Sequence, residues 1–219
     1  MAHVGLGRVR SRIAEAAERA GRAPSTIELL VVSKNRSDAE VLSVYRDGQR
    51  LFAENREQGL RNRVASELPE DIAWHFVGPL QSRKVPYVAS HVELLHSMDR
   101  TKLARLWAER STTPVLLQFN LAAEPQKSGY PPGDAERVLD ECLAFGLDVR
   151  GVMAIPPFAD DPEDVRPWFR ALRRIFDGLS AQHPSINVCS MGMTNDLEVA
   201  VEEGSTMVRV GRAIFEPDH

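Results

Sequence analysis

The sequence predicts an α/β protein: a single closed (β/α)8 or TIM barrel of eight parallel strands alternating with helices, with an extra helix at the N-terminus. Three observations predict it. Eight short apolar runs recur along the chain, nearly all followed by a helical pattern, and no two stand together as a hairpin requires. The 219 residues hold eight such units at the lean end of the range for this fold and leave no room for a second domain, so residues 1–219 read as one domain. The first strand-to-helix turn, SKNRSD (33–38), lacks the glycines of a dinucleotide fingerprint, which sets aside an open doubly wound sheet.

In MAHVGLGRVRSRIAEAAERAG, residues Val9, Ile13, Ala16, Ala17 and Ala20 form one apolar helical face that Gly21 ends. Its arginines interrupt any apolar core, so it is expected to dock as a helix and not to act as a secretory signal. The first strand is Leu29 to Ser33, followed by a helix capped by Ser37 and ending near Gly48. The second is Arg50 to Glu54, with a polar helix from Arg56 to about Glu67, and the third is Ile72 to Val77. The fourth, Val92 to Ser97, leads into a helix capped by Asp99. The fifth, Pro114 to Asn120, is followed by a long loop and a helix from Asp134 to Phe145. After the sixth, Asp148 to Ile155, Pro156 and Pro157 force a turn before a helix from Pro162 to Gln182. That helix carries Val165, Phe169, Leu172, Ile175, Phe176 and Leu179 on one face. The seventh strand, Ile186 to Ser190, precedes a helix from Asn195 to Glu203, and the eighth is Thr206 to Val210.

Composition narrows the function. The net charge is −4 with the signs interspersed, so there is no basic patch for a nucleic-acid partner. No stretch approaches the ~18 apolar residues of a spanning helix, and a soluble, cytoplasmic protein with no membrane partner is expected. Cys142 and Cys189 lack metal or redox spacing and read as buried thiols; no metal site is expected.

In such barrels chemistry sits at the carboxyl ends of the strands. Those ends bring Lys34, Glu54 with Asn55, His75, His96 with Asp99, Gln118 with Asn120, Met153, Ser190 with Met191, and Arg209 with Gly211. Lys34 ends the face formed by Leu30 and Val32. Either its stem covers apolar neighbours with the charge in water, or its amine is held partly desolvated for imine chemistry. CSMGMTN (189–195) runs from a strand through a glycine turn into a helix, an arrangement that suits a phosphate dianion, and VRVGR (208–212) repeats it in the next strand. A phosphate cradle at strands seven and eight beside a lysine at strand one calls for a ligand with a phosphate at one end and an aldehyde at the other. Pyridoxal 5′-phosphate fits that description. An inward Arg209 facing the pyridine nitrogen would keep it unprotonated and weaken the electron sink.

Ordered motifs along nearly the whole chain resemble the YggS/PROSC-type pyridoxal phosphate homeostasis proteins, whose fold is similar to the N-terminal barrel of alanine racemases. They are LLVVSK (29–34), FAEN (52–55), WHFVGPLQSRK (74–84), HSMDR (96–100), KSG (127–129), RGVMAIP (150–156), SMGMTND (190–196) and GSTMVRVGRAIF (204–215). The resemblance implies that Lys34 forms a Schiff base with pyridoxal phosphate and that Asn55 lies near the ring hydroxyl. It implies that His75 and Met153 flank the ring, Arg209 meets its nitrogen, and Ser190, Gly192, Thr194, Gly211 and Arg212 surround the phosphate. His75 reads equally as a core imidazole and His96 only as one; Lys84 and Lys127 read as a solvated loop charge and a loop contact. The chain departs from the family pattern at Ala53 (usually glycine), Thr194 (usually serine), Arg212 (usually threonine) and Glu216 (usually small). Thr194 keeps the hydroxyl, Arg212 either loses one phosphate contact or exchanges it for a charge-assisted one, and Glu216 is expected to alter the C-terminal turn and not the cofactor.

The expected function is therefore a non-catalytic, monomeric protein that holds pyridoxal phosphate and supplies it, with cofactor-requiring apo-enzymes as partners. The alternative is a racemase-like enzyme acting through the same lysine. Racemisation needs acid–base groups on both faces of the substrate carbon, and in the racemases the second comes from an additional domain. A third reading, a phosphosugar-binding barrel, keeps the phosphate site of strands seven and eight and drops the cofactor.

Overall fold

The strands close in sequence order into a parallel barrel in the computed structural model, which describes residues 3–216. They are β1 (Glu28–Val32), β2 (Leu51–Glu54), β3 (Ala73–Phe76), β4 (Leu94–Met98), β5 (Val115–Phe119), β6 (Val149–Ala154), β7 (Val188–Ser190) and β8 (Met207–Val210). Closure comes from β8 pairing with β1, with Leu30 opposite Arg209 and Val31 opposite Val210. The helices are α1 (Val4–Arg19), α2 (Asp38–Arg46), α3 (Glu57–Val64), α4 (Val85–Ala89), α5 (Thr101–Ala108), α6 (Ala135–Ala144), α7 (Arg166–Gln182), α8 (Leu197–Glu202) and α9 (Arg212–Phe215).

Period-two alternation sorts each strand into two cores. Leu30, Ala53 and Met207 face the barrel axis at one side, and Leu94, Leu116 and Met153 face it at the other. The opposite faces, with Val31, Phe52 and Phe76, pack under the helices with Trp107 and Phe169 in a much larger shell. Every residue expected on the apolar face of the long helix lies in that shell, Ile175 only partly buried. The N-terminal helix docks on α8 and α9 and ends at Gly21, whose φ of 65° is the left-handed conformation that terminates a helix. Gly5 makes that docking close: a Cβ there would stand 2.1 Å from the Ile214 carbonyl oxygen.

Several boundaries differ from the sequence expectation. α4, preceded by a 3-10 turn at Ser82–Lys84, has no counterpart there; its Pro86 falls in the first turn, where proline costs no hydrogen bond. Asp99 does not cap α5: Arg100 holds the N-cap position without a side-chain bond, and Asp99 instead pairs with the Arg100 guanidinium. The expected helix from Pro162 begins as a 3-10 turn (Pro162–Val165) and becomes α-helical at Arg166. Glu216 leaves the C-terminal turn intact: α9 forms, the Glu216 N–H donates to the Arg212 carbonyl, and its carboxylate pairs with Arg36. Both cysteines are buried free thiols. No helix among the described residues is long and apolar enough to cross a membrane.

Candidate functional site

Lys34 does not ride on the strand itself. β1 stops at Val32, and Ser33 to Arg36 form a tight turn closed by the Arg36 N–H donating to the Ser33 carbonyl at 3.1 Å. Lys34 and Asn35 are its central residues, and Asn35 adopts φ 60°, a conformation asparagine tolerates better than most residues. Lys34 is solvent-exposed. Its turn lies at the same barrel mouth as Gly211, since the β1–β8 register sets Val31 beside Val210.

The two glycine turns expected to receive a phosphate are tight backbone approaches. Gly192 has φ 94°, and a Cβ there would meet the Ala200 side chain at 2.5 Å. At Gly211 a Cβ would stand 2.8 Å from the Val32 carbonyl, so the glycine lets the end of β8 lie against the end of β1. Between them the Met193 N–H is taken by Asp196 Oδ1 at 2.6 Å, and the Thr194 carbonyl accepts from Arg12 at 2.8 Å. These bonds pin the first turn from both sides. Thr194 is half-buried and Arg212 exposed, at the start of α9.

Below the mouth a polar chain crosses the barrel interior. Arg209 donates from one guanidinium nitrogen to the Ser190 carbonyl at 2.8 Å and to Ser190 Oγ at 2.7 Å, and from the other to the Ala154 carbonyl at 3.0 Å. Ser190 Oγ lies 3.1 Å from His96 Nδ1, and His96 Nε2 lies 3.1 Å from His75 Nδ1. All four side chains are buried. Burial holds His75 at a pKa of about 4 and His96 well below its ordinary value, the neighbouring His75 and Arg209 adding to the depression of His96. Both imidazoles are therefore neutral at physiological pH, and each shared contact has one donor. If Ser190 donates to His96 Nδ1, then His96 donates to His75; the reverse order requires His75 to donate first. Burial also lowers the Arg209 guanidinium to about 10, offset by the carboxylate of Asp196.

Several expected residues belong to this chain or lie beside it. Ser190, expected at the phosphate, turns its hydroxyl inward and commits it to Arg209 and His96. His96, read as an ordinary core residue, is the middle of the chain; nothing local in the sequence marks it, because its partners come from β3 and β7. Met153 is fully buried in the interior apolar layer with Leu94 and Leu116. Asn55 is half-buried just past β2, where Gly78 allows close passage: a Cβ on it would lie 1.9 Å from the Asn55 carbonyl oxygen. Ala53 is accommodated in the interior layer with Leu30 and Met207. Lys127 is held by Glu124 at 2.6 Å and the Pro156 carbonyl at 2.9 Å, whereas Lys84 stands 3.6 Å from Glu57.

A closed parallel barrel with a lysine turn at β1, glycine turns at β7 and β8 and a buried arginine between them defines a class, and residues 4–218 match the family described as alanine racemase, N-terminal domain. Within it the chain belongs to the family of pyridoxal phosphate homeostasis proteins. The member from Aquifex aeolicus is 38% identical over 217 residues, covering 96% of this chain and 95% of that protein. The member from Escherichia coli K12 is 39% identical over 225 residues, covering 96% and 94%. The structure of PipY from Synechococcus elongatus with pyridoxal phosphate bound superposes with a TM-score of 0.79 at 32% identity, covering 93% of this chain and 99% of that one.

Proposed function

We propose that this protein binds pyridoxal phosphate, attaches it covalently through Lys34, and serves as an intracellular store and source of it with little or no turnover. The observation that carries the reading is the junction of the Lys34 turn at the end of β1 with the Gly211 turn at the end of β8, adjacent strands at one mouth. The group supplies an aldehyde that condenses reversibly with an amine, and a phosphate that needs backbone donors.

The residues fit that group. Gly192 and Gly211 let their turns pack closely on Ala200 and on the Val32 carbonyl without a side chain of their own, and with Thr194 and Arg212 they take the phosphate. Asn55 takes the ring hydroxyl. Arg209, fixed by three hydrogen bonds to Ser190 and the Ala154 carbonyl, presents a permanent positive charge to the ring nitrogen. His75 and Met153 line the floor. A charged guanidinium disfavours protonation of the ring nitrogen, which limits carbanion chemistry and suits a carrier.

The contact between His75 and His96, and that of His96 with Ser190, favour the carrier over a racemase, because both imidazoles are engaged with interior groups. Cofactor-requiring apo-enzymes are the partners that a store of this kind serves, and a monomer suffices for the site. The test is the visible spectrum of purified protein with pyridoxal phosphate, before and after borohydride, beside Lys34→Ala. A band that borohydride bleaches, with the cofactor mass fixed on the Lys34 peptide and absent from the variant, is expected. Protein that stays colourless with added pyridoxal phosphate sinks the reading and leaves a phosphosugar barrel; conversion of L-alanine to its D form at racemase rates sinks the carrier part alone.

A further inference from the structure

We propose that Arg63 and Glu54 are positioning residues for Lys34, a buried ion pair that clasps the lysine turn by the carbonyl groups at both of its ends. The inference rests on the reading of Lys34 as the attachment lysine.

Arg63 projects from α3 and is buried, as is Glu54 at the end of β2. One terminal guanidinium nitrogen donates to the Ser33 carbonyl at 2.9 Å and to the Arg36 carbonyl at 2.6 Å, the first and last residues of the turn. The other terminal nitrogen bonds to Asp38 at the start of α2, and Nε donates to Glu54 Oε1 at 3.2 Å. Glu54 Oε1 also accepts from Ser33 Oγ at 2.8 Å. A single guanidinium therefore ties together β2, the lysine turn and the first residue of α2, and its planar fork is the side chain suited to do so.

Stability alone does not account for this pair. A buried ion pair roughly breaks even against apolar residues of similar volume. What it adds here is geometric: with the carbonyls at positions 33 and 36 both fixed, Lys34 and Asn35 have only the motion internal to one tight turn. An attachment lysine held this way loses less conformational entropy on bond formation. The helix is built around the contact, because Gly59 sits over the carboxylate: a Cβ there would stand 2.6 Å from Glu54 Oε2. Gly59 stands in the first turn of the helix, and glycine there makes room for Glu54.

The test compares the full chain with Arg63→Met, Arg63→Lys, Gly59→Ala and the control Leu60→Ala, which removes a fully buried side chain of the same helix that bonds to none of these groups. Each is titrated with pyridoxal phosphate and trapped with borohydride, and hydrogen–deuterium exchange of residues 33–38 is followed without the cofactor. Arg63→Met is expected to weaken attachment at Lys34 by about tenfold and to speed exchange in the turn, with Arg63→Lys recovering part of both. Gly59→Ala, which keeps every bonding group but displaces Glu54, should shift in the same direction. Leu60→Ala should lower Tm while leaving attachment within about twofold. Attachment that merely follows Tm across all variants, or exchange unchanged in Arg63→Met, overturns the clamp. Where Arg63→Met does not fold, the same two readouts on Arg63→Lys and Gly59→Ala decide the question. Wild-type protein that takes no label at Lys34 overturns instead the reading of the lysine, and with it the purpose assigned to the pair.

Discussion

Acid should destabilise this barrel before its carboxylates titrate, through His75 and His96. In the unfolded chain an imidazole has a pKa near 6.5, whereas burial holds His75 at about 4 in the folded protein. Between those values the unfolded state binds a proton that the folded state does not, so stability is full above about pH 6.5 and falls as pH drops toward 4. For His75 the loss amounts to about 2 kcal/mol at pH 5 and about 3 kcal/mol at full extent, at 1.36 kcal/mol per pKa unit. His96, more deeply buried and facing both His75 and Arg209, acts with the same sign. Asp196, whose pKa burial raises, acts oppositely and softens the fall. Against a total stability of about 5–15 kcal/mol the effect is large. The assay is urea unfolding followed by tryptophan fluorescence at steps from pH 7.5 to 5.0, for wild type and a His75→Gln/His96→Gln variant. The wild-type free energy should fall through this window, and the variant, weaker at pH 7.5, should show a distinctly shallower slope. A wild-type curve flat to pH 5, or equal slopes in both proteins, would refute the claim that these imidazoles are buried neutral.

Other parts of the structure yield direct expectations. Ser37→Ala removes the hydroxyl that accepts from the Glu40 N–H in the capping box of α2 and should cost about 1 kcal/mol by urea unfolding. Gly78→Ala should lower Tm by forcing β2 and β3 apart where the Cβ would meet the Asn55 carbonyl, an overpacking cost of about 1–3 kcal/mol read by thermal melting. Arg209→Met strands the Ser190 and Ala154 carbonyls in the interior and should cost about 2–4 kcal/mol even without cofactor, measured the same way. Cys142 and Cys189, pushed by burial to about 11 and about 12, should both resist a thiol reagent at pH 8 and react only in denaturant.

What is legible in the sequence follows from how far each contact reaches along the chain. The eight strands are readable because each is a local run of β-branched and apolar residues, and alternation within a run places Leu30 or Arg209 on the inward face without knowledge of its neighbours. The Lys34 position is readable for the same reason, but its turn is not. SKNR carries neither glycine nor proline, and the only local signal is that asparagine accepts the positive φ found at Asn35. The interior chain is harder still. His75 and His96 stand on neighbouring strands, yet Ser190 reaches His96 from β7, three strands further round, and only closure of the barrel brings the two within 3.1 Å. Arg63 belongs to the same kind: in sequence it is one of several charges on a polar helix, and in the fold it is the buried one, because Ser33, Arg36, Asp38 and Glu54 all present oxygen to one point. Periodicity reports which face a residue occupies. It carries no information on which distant groups share that face, and in this barrel the groups that orient the candidate site are of that second sort.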